Sequence, residues 1–149
     1  MTIGLTIPTY MPTLRQLIRC TQAFERFSGA HVKKMGLTES QFDVIATLGN
    51  TSGMTCKELG ERTLITKGTL TGVLDRMEAR GLVSRKADAV DARRTHIALT
   101  RKGEGLFEDA FPAHMRHLQR AFDRIPAAEL VMLHNRLGDL RLAFEQASA

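Results

Sequence analysis

The sequence predicts a mainly α-helical chain carrying one small β-hairpin. Three observations predict it: apolar residues recurring at helical spacing over most of the length, capping-box patterns ahead of short helices, and two alternating stretches flanking a polar turn between residues 83 and 99. At 149 residues and 43% hydrophobic content, the chain suits one globular core with a helical appendage.

From Thr13 to Met35, the apolar positions Leu14, Leu17, Ile18, Phe24, Phe27 and Val32 form one broad stripe, and Gly36 ends it. A second helix follows Thr38, with Gln41 three residues on in a capping box and Phe42, Ile45 and Leu48 along one face to about Asn50. The stretch NTSGM is turn-rich. Thr55 and Glu58 repeat the capping spacing before a short third helix carrying Leu59.

In the fourth helix, capped at Thr66 and stopped at Gly81, the residues Leu70, Val73, Leu74 and Met77 follow the core spacing. Its other side presents Lys67, Thr69, Thr71 and Arg76. LVSRKA and THIAL then alternate, and DAVDARR joins them as a hairpin loop. Thr100 caps a long helix from Lys102 to Ile125, which Pro112 must kink or split. The last helix begins with Pro126 near its first position. Its Leu130, Leu133, Leu137, Leu140 and Phe144 recur at spacings of three and four, a seam suited to another helix.

The net charge is +5, and its placement is informative. Residues 54–102 hold eleven Lys/Arg against six Asp/Glu, whereas the rest of the chain holds ten of each. The whole excess lies in one third of the chain, as a polyanion-binding surface requires. Even scattering for solubility would not concentrate it.

Other classes find little support. The start, MTIGLTIPTYMP, shows no basic segment followed by an apolar stretch and a cleavage site, and no uninterrupted apolar run is long enough to cross a bilayer. A soluble, cytoplasmic chain without a membrane association is expected. Cys20 and Cys56 lack the grouping of a disulfide scaffold or zinc site, so a reducing compartment is the simplest assumption. There is no GxSxG elbow, P-loop or HExxH pair, so neither catalysis nor a cofactor is expected.

Three helices followed by a fourth with a polar exposed face and then a hairpin match the winged helix-turn-helix order. In that arrangement the last helix before the hairpin enters the major groove, and the hairpin tip lies along the backbone or minor groove. Arg93 and Arg94 at such a tip suit the concentrated negative potential of a narrow minor groove. Asp91 is placed to brace Arg93 or the turn.

The segment KELGERTLITKGTLTGVLDRMEARGLVSRKADAVDARRTHIALTRKG resembles the core of a MarR-family transcriptional regulator. The likeness runs from Met54 to Gly105 and includes MEARGLVSR, a DxR wing motif and the closing LTRKG. The family's wing often reads DRR. Here Ala92 stands in the middle and a further Arg94 follows.

The resemblance implies a homodimer built by the first and last two helices, with a DNA-binding region over residues 38–99 and a helical dimerisation region over 1–37 and 100–149. Apolar faces outside 38–99 independently exceed what a small winged domain can cover. The expected partner is double-stranded DNA. Lys67, Thr69 and Thr71 are expected at base edges, Arg76, Arg85, Lys86 and Lys57 at phosphates, and Arg93 with Arg94 in the flanking minor groove.

Regulators resembling this chain are commonly repressors released from a pseudo-palindromic operator by a small aromatic or phenolic effector, an oxidant or a metal. Arg15 and Arg19 are candidates for an effector carboxylate, and Cys20 for a redox role. GTLT is similar to the organic-hydroperoxide-sensing branch, but that branch's reactive cysteine corresponds to Leu14 here. His114 and His117 share one helix turn without a third metal ligand. The alternatives are a winged module that binds protein instead of DNA, and a redox- or metal-responsive regulator of the same fold.

Overall fold

The computed structural model describes residues 6–149. Residues 1–5, which fall within both the expected helical segment 1–37 and the MTIGLTIPTYMP start, lie outside the described residues. The elements are α1 (Met11–Lys34), α2 (Glu39–Leu48), β1 (Met54–Thr55), α3 (Cys56–Arg62), α4 (Lys67–Ala79), β2 (Val83–Ala87), β3 (Thr95–Leu99), α5 (Arg101–Phe122) and α6 (Ala127–Ala147). The strands form an antiparallel sheet in the order β1-β3-β2.

Local chemistry accounts for the boundaries. Both capping boxes form: the Thr38 hydroxyl accepts from Gln41 N–H at 3.1 Å while Gln41 Oε1 accepts from Thr38 N–H at 3.1 Å, and Thr55 and Glu58 repeat the exchange. Thr66 holds the cap position of α4, yet its hydroxyl donates to Thr69 Oγ1 at 3.0 Å and caps no N–H. Gly81, at φ +71°, supplies the left-handed stop that the sequence predicts. Thr100 Oγ1 accepts from Gly103 N–H at 3.1 Å at the start of α5.

One expectation needs adjusting and another is narrowed. The loop expected at NTSGM ends in a short strand, since Met54 pairs with Ile97 and Thr55 with His96. Pro112 does not split the long helix, and α5 runs through it as one element although proline offers no N–H to the Glu108 carbonyl.

The chain comprises two compact units, Met1–His114 and Met115–Ala149. In the first, Val32, Phe42, Ile45, Leu48, Leu59, Leu74, Met77, Ile97 and Phe107 belong to one buried core, so α2, α3, α4 and the sheet form a single body. His114 belongs to it too, with Nε2 3.1 Å from Ser28 Oγ and Nδ1 2.9 Å from His31 Nδ1. The contact with His31 joins two histidines that the fold brings close. Among the described residues, no group of three or more His, Cys, Asp or Glu side chains could hold a metal.

The second unit contains the end of α5 and all of α6. No residue of α6 is buried, and its Leu133, Leu137 and Phe144 are 44%, 47% and 53% exposed.

Candidate nucleic-acid interface

The interface is built from α3, α4 and the hairpin. The buried Leu70, Val73, Leu74 and Met77 fix the rotation of α4, which leaves Lys67, Thr69, Thr71 and Arg76 exposed. The turn before it is tied to α2, because Leu64 N–H donates to Asp43 Oδ2 at 2.8 Å. Lys57 of α3 joins Lys67 and Thr71 around a depression of about 200 Å3, completed by Cys56, Gly60 and Leu70. Two lysines and a threonine thus border the place where α3 meets the start of α4.

The hairpin loop is organised by two carboxylates. Asp88 Oδ2 accepts from the N–H groups of Val90 and Asp91, at 3.2 and 3.1 Å, and Asp88 N–H donates to the Arg94 carbonyl at 2.9 Å. Asp91 Oδ1 accepts from Arg93 N–H at 3.0 Å and from Arg93 Nε at 3.2 Å, while its Oδ2 lies 3.7 Å from Arg94 Nε. These bonds, the Arg93 main-chain N–H first and its guanidinium second, hold the Asp91 carboxyl below the usual carboxylate range. The Arg93 side chain is 92% exposed and that of Arg94 67%. Both guanidiniums project from a braced turn.

Arg85 and Lys86 point to opposite faces of the sheet. Lys86 is exposed, with no ion pair among the described residues. Arg85 is engaged: its Nη2 meets Asp75 at 2.7 Å, and its Nε and Nη2 donate to the two oxygens of Glu78, each at 3.1 Å. Glu78, then Asp75, raises the Arg85 pKa above its already high ordinary value, and Arg85 lowers that of Glu78. Arg85 thus braces the wing against α4 through Nε and Nη2, which is a role beyond the phosphate contact expected of it.

The remaining candidates lie on α1. Arg15 and Arg19 line an open depression of about 440 Å3 with Ile7, Met11, Pro12 and Gln16, and Cys20 is exposed beside them in sequence but is not among the lining residues. Sequence reasoning overlooked Arg80, whose Nη1 donates to the Gly36 carbonyl at 2.9 Å and to Gln41 Oε1 at 3.3 Å, fastening the end of α4 to the α1–α2 junction.

Residues 35–94 match the family model described as MarR family. The homoprotocatechuate degradative operon repressor of Escherichia coli is 32% identical over 111 residues, covering 74% of this chain and 72% of its own length. The chain belongs to the MarR family. Among solved structures, a mutant of Escherichia coli MarR complexed with operator DNA superposes with a TM-score of 0.78 at 22% identity, covering 90% of this chain and 99% of that one. Bordetella bronchiseptica BpsR, whose DNA binding is regulated by 6-hydroxynicotinic acid, superposes with a TM-score of 0.81 at 24% identity, covering 91% of this chain and 97% of that one. These two likenesses show the winged helix-turn-helix fold. The chain is thus a MarR-family DNA-binding transcriptional regulator, and no described helix is long and apolar enough to cross a membrane.

Proposed function

We propose that two copies of the chain bind a pseudo-palindromic operator as a repressor and release it on taking up a small aromatic or phenolic effector. The observation that carries the DNA-reading part is the pairing of an exposed polar start of α4 with arginines held on a carboxylate-braced turn. Lys67, Thr69 and Thr71 read base edges, while Lys57, Arg76 and Lys86 hold phosphates and set register. Arg93 and Arg94 enter the flanking minor groove, with Asp91 aiming Arg93. Arg85 serves at one remove, by fixing the wing to α4.

Dimerisation rests on the apolar surface that the isolated chain leaves in water, including Leu133, Leu137 and Phe144 of α6. A second copy covers such faces and sets the two α4 helices about one DNA turn, roughly 34 Å, apart. Residues 38–99 then form the reading head, with the helices of 1–37 and 100–149 as the assembly region. Effector release is supported by BpsR, regulated by 6-hydroxynicotinic acid, and by the repressor of a degradative operon. Arg15 and Arg19 offer guanidiniums to an effector carboxylate in the α1 depression.

A mobility-shift titration against the DNA upstream of its own coding sequence, at two salt concentrations, tests the central claim. Affinity falls steeply as salt rises if lysines and arginines displace counterions from phosphates. Retention unaffected by salt, or no shift on any duplex, would refute it. Adding simple aromatic acids to the same titration tests release.

A further inference from the structure

His96 is unaccounted for by the DNA contacts, although it stands where three parts of the reading head meet. It lies on β3, paired across the sheet with Thr55 of β1 and Lys86 of β2. Its Nε2 is 3.0 Å from the Ser52 carbonyl, and its Nδ1 is 3.7 Å from Asp88 Oδ1. A carbonyl oxygen only accepts, so Nε2 carries the hydrogen. In the neutral ring Nδ1 then has a bare lone pair, and it faces a carboxylate that also only accepts. Proton uptake reverses this: Nδ1 becomes a donor, and one cationic ring spans the Ser52 carbonyl and the Asp88 carboxylate.

Both ends of that span are firm. Asp88 holds the loop bearing Arg93 and Arg94, through the N–H groups of Val90 and Asp91 and the Arg94 carbonyl. At the other end Gly53 sits at φ +94°, and a Cβ there would lie 2.5 Å from both His96 Nε2 and the Ile97 carbonyl oxygen, so only glycine brings the loop this close. The surrounding charges are mixed. Asp88 lies 3.7 Å from His96 Nδ1 and Lys86 stands across the strand, while Glu58 of α3 accepts from Thr55, the partner of His96 on β1. Asp91 and Arg94 on the loop pair with each other.

We infer that His96 is a positioning residue that ties the wing to the loop preceding β1 and tightens that tie on protonation, so that the wing arginines are held most firmly for DNA at mildly acidic pH. The inference rests on the wing contacting DNA, and its test separates the two claims. His96→Gln keeps an amide donor for the Ser52 carbonyl but takes up no proton. Asp88→Asn keeps an acceptor for Val90 and Asp91 N–H but removes the charge. Amide hydrogen exchange of Val90, Asp91 and Arg94 in the free full-length chain, corrected for intrinsic rates, is compared at about pH 6 and about pH 8. Protection is greater at the lower pH in the parent, and that difference disappears in both variants.

Fluorescence anisotropy on a mixed-sequence duplex at constant ionic strength forms the second arm. Binding is expected to be about two- to fivefold tighter at the lower pH, as for an exposed ion pair, with the histidine-specific part lost in either variant and no further loss in the double variant. The inference is overturned if wing protection is the same at both pH values, or if Asp88→Asn retains the full parental response, which would make the imidazolium just another cation near phosphates. If no duplex binds, the DNA-reading role of the wing falls, and the exchange arm still decides whether the tie exists.

Discussion

At the scale of single residues, the interface depends on which cations are committed and which are free. Arg93→Ala removes an exposed guanidinium without touching the core, so dimer mass and melting temperature stay unchanged while operator affinity at fixed salt falls about tenfold, an effect of roughly 1.4 kcal/mol. Arg85→Ala does something different. It leaves the exposed Asp75 and Glu78 unneutralised and the wing untied from α4, so affinity drops for every sequence tested, and Arg85→Lys, lacking the planar fork, restores only part of it. Asp91 adds a pH dependence whose sign follows from its lowered pKa. Its contribution to wing order is complete above the unfolded carboxylate value of about 3.9 and fades only as pH falls through the lower folded value, a loss that amide exchange at Arg93 would record. The exposed cations were legible in the sequence because charge and turn chemistry act locally. Arg85's commitment was not, since it depends on how β2 lies against α4.

At the scale of elements, the helix starts were the most legible features. Capping boxes are closed within four residues, and both the Thr38 and Thr55 boxes form as their spacing requires. Thr38→Ala is expected to destabilise the fold by about 1 kcal/mol in urea titration, with no change of slope. Gly49 shows a constraint that sequence could not: a Cβ there would run into the Phe107 ring of α5, so Gly49→Ala forces that ring to move and lowers the unfolding midpoint by the equivalent of about 1 to 3 kcal/mol. The strand β1 went unseen because two residues carry no periodicity, and its existence is decided by β3 alongside. His114 was similarly opaque, since the buried contact with Ser28 and His31 joins residues more than eighty positions apart.

For the whole molecule, the winged order of elements was readable because each piece announced itself locally and the family pattern orders the pieces. The apolar stripes of α1 and α6 were read as covered surfaces, yet within one chain Ile18, Phe24, Leu133 and Leu137 remain substantially exposed. Their burial belongs to the dimer proposed above, which a single sequence does not display. Leu137→Glu puts a charge on that surface, so light scattering should find the monomer mass, accompanied by a lower melting temperature and loss of operator binding. An unchanged dimer would assign assembly to other faces. A terminal helix with no buried residue of its own also has a quantitative implication for the cell. In the dimer proposed above, paired reading heads form in proportion to the square of chain concentration, so operator occupancy has a dosage threshold, below which halving expression costs more than half of the control.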